Sequence, residues 1–197
     1  MARYTGPKFK LSRREGVNIT GTTSPRLEKV LKTPPGGTKR GRRSEYGVRL
    51  REKQRVKHEY GMLERDFRRF FEAAEKKPGP TGVNLLQMLE RRLDNVIYRL
   101  GFGRTRPFAR QLVSHGHVKV NGKRVNIPSY QVHSNDTIEL QPAATRMPTV
   151  QEDMETRGVV AEWLERDGST GRVTRLPRRE DIDPAIKENL IVEFYAR

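Results

Sequence analysis

Arg106-Pro-Phe-Ala-Arg110-Gln-Leu-Val-Ser114-His-Gly116-His-Val-Lys-Val120-Asn-Gly122 is the stretch whose reading decides the fold. Thr105 is a good N-cap, and Pro107 is tolerated in the first helical turn, so a short helix over Arg106–His115 is expected. Gly116 suits the left-handed residue that ends such a helix. Val118–Val120 alternates as a strand, Asn121-Gly122 is the strongest two-residue hairpin signal, and Val125–Ile127 alternates back. On the helix, Arg106, Arg110 and Gln111 fall to one side, while Ala109, Leu112 and Val113 take the other. Ser114, His115 and His117 continue the polar side into the hairpin, whose outward residues include Lys119, Lys123 and Arg124. Guanidinium groups suit phosphates because their planar fork donates two bonds at once. With few exposed aromatics for base stacking, the pattern fits recognition of folded RNA through phosphates and 2′-hydroxyls.

The elements on either side give an α+β class. Downstream, Asp136–Gln141 offers a third strand with Ile138 and Leu140 inward. Thr149 and Glu152 make a capping-box pattern for a helix to about Arg157. Glu162–Arg166 and Arg172–Leu176 could pair around residues 167–171. A helix is expected from Pro184, and Leu190–Tyr195 reads equally as strand or helix. Upstream, Leu85, Leu89, Leu93, Val96, Ile97 and Leu100 predict one helix over Val83–Leu100, and Leu63, Phe67, Phe70, Phe71 and Ala74 a second with a core face. Ser44 caps a helix over Glu45–Tyr60, stopped by Gly61, whose circumference carries Arg49, Arg51, Lys53, Arg55 and Lys57. Tyr46, Val48, Leu50 and Val56 are left to pack. Residues 1–43 read as an extended basic arm with a short helical possibility near Ser24–Leu31, since the Pro and Gly of 34–43 hold neither helix nor central strand.

Charge sharpens the reading. The 197 residues carry 40 Lys and Arg against 24 Asp and Glu, a net of +16, and a pI near 10.5. Residues 1–60 hold +12 of that excess, 61–100 hold +2, 101–150 hold +5, and 151–197 reverse to −3. A +12 stretch calls for a polyanionic partner, nucleic acid first. The acidic end is a poor phosphate binder and fits contact with protein. With no cysteine there is no disulfide, thiolate nucleophile or Cys-based zinc site. No apolar run approaches the roughly 18 residues of a membrane span, and no signal peptide is evident, so a soluble, cytoplasmic protein is expected.

Enzymatic readings fare poorly. Arg92-Leu93-Asp94 resembles the start of a pseudouridine synthase motif, but the following Thr-Gly is missing and Leu93 belongs to the core stripe, so Asp94 reads as a surface or capping acid. His115 and His117 lack further metal ligands nearby and read as RNA-facing. No Ser sits in a nucleophile elbow. Trp163 reads as packing. An RNA-modifying enzyme would need a further domain that residues 1–85 do not supply, and the hairpin and basic arm argue against a DNA-binding helix-turn-helix.

The stretch 106–122 resembles the helix–turn–hairpin RNA-binding motif named after small-subunit ribosomal protein number four. The resemblance to the bacterial family of that ribosomal protein runs nearly end to end. It includes Arg3-Tyr4-Thr-Gly6-Pro7-Lys8, Ser12-Arg13-Arg14-Glu15-Gly16, Tyr46 to Gln54, Arg91 to Val96, Ile127 to Gln131 and Leu190 to Tyr195. The family resemblance implies a helical domain, 44–92 with 184–197, and an inserted α+β domain, 93–183, with the motif at about 104–141. It implies a non-enzymatic structural constituent of the small subunit that binds 16S rRNA directly in its 5′ domain and nucleates assembly of the subunit body. It also implies contributions to the mRNA entry channel and to accuracy, with proteins five and three as neighbours, and no cofactor.

The expected rRNA-binding residues are Arg3, Tyr4, Lys8, Lys10, Arg13 and Arg14 in the arm, and Arg49, Lys53, Gln54, Arg55, Lys57, Arg65, Arg68 and Arg69 in the helices. In and around the motif they are Arg104, Arg106, Arg110, Gln111, Ser114, His115, His117, Lys119, Asn121, Lys123 and Arg124. Lys39, Arg40, Arg42 and Arg43 match the channel-facing loop. Many relatives carry a four-cysteine zinc knuckle. Phe9, Ser12, Thr22 and Leu27 stand at the matching positions, so the chain resembles the zinc-free branch, with no metal site expected.

Overall fold

The computed structural model describes residues 4–19, 21, 24–32, 44–156 and 160–196. In chain order the helices are α1 (Lys8–Glu15), α2 (Pro25–Lys32), α3 (Glu45–Glu59), α4 (Glu64–Glu75), α5 (Thr81–Glu90), α6 (Leu93–Arg99), α7 (Arg106–Ser114), α8 (Pro142–Thr145), α9 (Pro148–Thr156) and α10 (Glu188–Tyr195). The strands are β1 (Val118–Val120), β2 (Lys123–Arg124), β3 (Thr137–Leu140), β4 (Leu164–Asp167) and β5 (Thr170–Val173). Two compact units result, Met1–Leu85 with Asp183–Arg197, and Leu86–Ile182. The first division falls inside α5, several residues before the expected 92/93 boundary.

The helical unit is built on α3. Its start is fixed by the Ser44 hydroxyl, which accepts from the Gly47 N–H at 3.2 Å. It ends before Gly61, whose φ of +61° would strain any residue with a Cβ. Phe67, Phe71 and Ala74 of α4 are buried, but Phe70 is only half-buried and lies beside the core stripe. The ambiguous C-terminal run is helical. α10 packs along α3 and buries Ile191, and the Tyr195 ring lies 4.4 Å from Phe71 and 6.5 Å from Phe67. A Cβ on Gly82 would come within 2.8 Å of Glu188 Cγ, so glycine is what permits that close approach.

The arm is not extended throughout: the short helix expected near Ser24–Leu31 forms as α2, and α1 is an additional helix, which Gly16 (φ +77°) closes by donating its N–H to the Ser12 carbonyl. Ser12, Ile19 and Leu27 are buried, with the Ser12 hydroxyl accepting from the Ile19 N–H at 3.3 Å. Burial of a few side chains against α3 offsets the helix-poor composition that favoured an extended reading. Thr22 lies outside the described residues.

The second unit holds a five-stranded antiparallel sheet in the order β2-β1-β3-β5-β4, covered by α6 and α7. Its core includes Leu93, Ile97, Leu100, Phe102, Leu112, Val118, Ile138 and Trp163. The helix expected over Val83–Leu100 is broken at Arg91-Arg92. Arg92 is extended (φ −64°, ψ 134°) and bridges to Gln131, while the N–H groups of Leu93 and Asp94 donate to the carbonyls of Tyr130 and Pro128 at 2.8 and 3.1 Å. The apolar stripe continues across the break, so periodicity alone cannot reveal it.

The Asn121-Gly122 turn forms as expected, both residues having positive φ (50° and 75°) and Val120 facing Lys123. The return strand is shorter than expected and ends at Arg124. Val125 adds one bond to the Val118 carbonyl, but Ile127 is exposed because the chain turns there to cap α6. β4 and β5 are joined by Gly168-Ser169, a tighter and shifted version of the expected hairpin. α9 starts at Pro148, which places Thr149 inside the first turn and leaves no Thr149 capping box.

One electrostatic cluster ties α3, α4 and α10. Glu64 accepts from Lys53 Nζ at 2.6 Å and Lys57 Nζ at 2.9 Å and from the Tyr195 hydroxyl at 3.0 Å. Burial pushes the Glu64 carboxyl up, but the hydrogen bonds and charges of both lysines outweigh it and hold it at about 2. A carboxyl lowered on folding stabilises above its ordinary value and loses that contribution as pH falls through the folded one. The stability difference between the wild type and Glu64→Gln, measured by urea unfolding, should therefore shrink as pH drops from 4.5 towards 2. A difference that stays constant over this window would show that the cluster does not stabilise the fold through charge.

Candidate nucleic-acid interface

The site is set by how α6 hands the chain to α7. Gly103 lies against α7, where a Cβ would meet the Ala109 backbone nitrogen at 3.2 Å. The Thr105 hydroxyl caps α7 by accepting from the Phe108 N–H at 3.3 Å, and the Arg104 N–H donates to Asp153 at 2.7 Å. With Ala109, Leu112 and Val113 buried, the opposite face of α7 presents Gln111 and Ser114 exposed, with Arg106 and Arg110 half-buried.

Those two arginines rest on a buried polar hub. Glu90 is fully buried, and its carboxylate accepts from Asn95 Nδ2 at 2.8 Å and from Arg99 at 2.8 and 3.0 Å. Asn95, itself buried, turns its oxygen outward to accept from Arg106 Nε at 2.9 Å. The Arg106 guanidinium lies 4.6 Å from the Tyr98 ring centroid, within cation–π range. Asp94 is gripped by both arms of Arg92, at 3.1 and 2.7 Å, and Arg110 approaches it at 3.5 Å. Asp94 is therefore a buried structural acid and not a surface or capping residue.

The turn and hairpin extend this face. A Cβ on Gly116 would collide with the Arg124 guanidinium, which lies across it and donates to the Gly116 and His115 carbonyls at 3.0 and 3.3 Å. Gln141 donates to the same Gly116 carbonyl at 2.8 Å. The His115 and His117 rings are 6.2 Å apart, and Lys119 and Lys123 are half-exposed and exposed. Asn121 is occupied internally, donating to Asp136 at 2.8 Å and accepting from the Thr137 N–H at 2.9 Å. No cluster of three potential metal ligands occurs among the described residues.

In the helical unit the expected residues divide. Lys8, Lys10, Arg14, Arg65, Arg68 and Arg69 are exposed, as is Tyr4, while Arg13 is half-exposed; Arg68 pairs with Glu72. Arg49 pairs with Glu193 at 2.7 Å, Arg55 with Asp183 at 3.3 Å, and Lys57 with Glu64. Gln54 is half-buried. Lys53 departs furthest from expectation. It is 4% exposed and sits under the Phe194 ring at 4.5 Å, so it is a packing cation with no surface to offer RNA. Counting basic residues on a helix could not separate Lys53 from its exposed neighbours. Arg3, Lys39, Arg40, Arg42 and Arg43 lie outside the described residues.

Residues 3–90 match the Ribosomal protein S4/S9 N-terminal domain, and residues 91–138 match the S4 domain. Small ribosomal subunit protein uS4 of Hahella chejuensis is 48% identical over 206 residues, with all of both chains covered. The uS4 proteins of Akkermansia muciniphila and Dictyoglomus turgidum are 50% and 51% identical over 205 and 208 residues, again over their full lengths. The chain belongs to the uS4 family. This is a family of ribosomal proteins and not of enzymes. The two uS4 matches meet at residues 90 and 91, where the helix breaks between α5 and α6.

Replacing Asp94 separates a structural acid from a reactive one. Removing one partner of a buried pair leaves an uncompensated charge and costs about 3–5 kcal/mol. Asp94→Ala should lose stability on that scale in denaturant unfolding. A variant as stable as the wild type would contradict the buried pair with Arg92.

Proposed function

We propose that this chain is a structural constituent of the small ribosomal subunit that binds 16S rRNA directly, through the face formed by α7, the Gly116 turn and the β1–β2 hairpin. The observation that carries the reading is the pairing of Arg106 and Arg110, both half-buried, on the polar face of a capped helix, each backed by a buried side chain of α6. Donors with fixed positions suit a backbone whose phosphates are themselves fixed by folding. Family membership supports the ribosomal setting, and the absence of any helix able to cross a membrane among the described residues is compatible with a cytoplasmic, ribosome-bound protein. The exposed cations Lys8, Lys10, Arg14, Arg65 and Arg69 widen the contact in the helical unit, and Arg3 joins them on sequence grounds.

Within that reading, binding in the 5′ domain nucleates assembly of the subunit body. Lys39, Arg40, Arg42 and Arg43 contribute charge to the mRNA entry channel and so to accuracy, and the acidic residues after 151 turn toward neighbouring ribosomal proteins, five and three.

The direct test is filter binding to 16S 5′-domain RNA in competition with duplex DNA. Folded rRNA should hold the protein against an excess of DNA, and equal displacement by DNA overturns the reading. Arg106→Ala and Arg110→Ala should each weaken rRNA binding and lower the log–log salt slope by about 0.7–0.9. An unchanged slope for both removes α7 from the interface. Replacing Lys39, Arg40, Arg42 and Arg43 together by Ala should leave subunit assembly intact but slow translation through structured messages. If subunits fail to assemble, the loop is an assembly anchor instead.

A further inference from the structure

Arg106 and Arg110 are not held as surface arginines usually are, by water and loose rotamers. Each is backed by a buried polar side chain on α6 whose own orientation is fixed in turn, Arg106 by a hydrogen bond and Arg110 by an ion pair. For Arg106 the chain of constraint has three links. Glu90, with no exposed surface, takes the Asn95 Nδ2 at 2.8 Å through its carboxylate and at 3.0 Å through its carbonyl. An amide whose nitrogen is doubly engaged has one direction left for its oxygen. That oxygen meets Arg106 Nε at 2.9 Å, and Tyr98 supports the guanidinium plane from below. Arg110 is held more loosely, by an ion pair at 3.5 Å to Asp94, which the bidentate grip of Arg92 immobilises. The two acceptors are neighbours in sequence, and the two arginines are one helical turn apart, so their backbones are offset by about 6 Å along α7.

A flexible cation finds a phosphate on any polyanion, because Coulomb attraction has no direction. A cation fixed at Nε gains fully only where phosphates hold the matching spacing. We infer that Asn95 and Asp94 are positioning residues for specificity: by locking Arg106 and Arg110 they favour neighbouring phosphates on folded RNA over those of a flexible strand. This rests on the α7 face being the RNA-binding face.

The experiment compares affinities of the full chain for folded 16S 5′-domain RNA and for an unstructured oligouridine of similar length, at one salt concentration, alongside thermal melting of each variant. In Asn95→Ala the Arg106 charge stays and its anchor goes. Binding to folded RNA should fall about tenfold, the scale of one hydrogen bond to a charged group, while binding to oligouridine changes little. Arg106→Lys keeps the charge and abolishes the Nε bond while leaving every core side chain in place, so it reads the same constraint even if Asn95→Ala unfolds. It should narrow the folded-to-flexible ratio to the same degree at an unchanged salt slope. The Asn95→Ala, Arg106→Lys double variant should lose no more than either single one, because both remove one interaction. Equal losses on both RNAs, an unchanged ratio in Arg106→Lys, or additive losses in the double variant overturn the inference. If Arg106→Ala leaves folded-RNA binding intact, the α7 face itself has failed, which is a distinct outcome.

Discussion

Two buried carboxylates, Glu90 and Asp94, on either side of the break between α5 and α6, are the constraint on which the second unit depends. A carboxylate removed from water is costly unless it is paired and hydrogen-bonded. Each here is met by an arginine fork, Arg99 on Glu90 and Arg92 on Asp94. Around them Arg92 leaves the helix to grip Asp94, the 128–131 loop caps α6, and Asn95, held by Glu90, points its oxygen at Arg106. The fold and the surface chemistry thus share one set of bonds. The acids that stabilise the unit also set the basic face above them.

The helical unit uses its acids differently. Glu64 gathers Lys53, Lys57 and the Tyr195 hydroxyl, while Glu193 and Asp183 engage Arg49 and Arg55. Much of the basic charge on α3 is therefore engaged within the unit, by α4, by α10 and by Asp183 before it. The count of 40 Lys and Arg overstates the cations available for binding, because several hold the protein's own chain together. Long cationic side chains routinely cover apolar surface with their stems, and Lys53 beneath Phe194 is an extreme instance.

The sequence made α7, its cap and the Asn121-Gly122 turn legible because each depends on local chemistry: a Thr hydroxyl, a Gly in the left-handed region, a two-residue loop. The same holds for the side of α7 carrying Arg106 and Arg110. The break at Arg92 was hidden, since its cause lies in the backbone carbonyls of Pro128 and Tyr130, far along the chain, and the leucine stripe passes over it undisturbed. The state of Leu190–Tyr195 was open for the same reason: its partner, α3, is distant in sequence. In the arm the short helix near Ser24–Leu31 is legible, whereas α1 is not, because its support comes from buried Ser12 and Ile19 against a composition rich in Gly, Pro and Thr. At the site, the anchoring role of Asn95 could not be read from a single Asn inside an apolar stripe, although an Asn, an Asp and a Glu so placed are themselves a sign of buried polar contacts.

The pairing of α10 with α3 also fixes an order of events. The helical unit is discontinuous, its α10 made after the inserted unit, whereas Leu86–Ile182 is continuous. During synthesis the inserted unit can emerge and fold while α10 is still unmade or within the exit tunnel, since domains fold as units as they appear. α3 then waits with one face uncovered until α10 has formed. The basic helix is thus the last part of the molecule to be closed, and a nascent chain meeting RNA early would do so with its sheet unit formed and its helical unit still open.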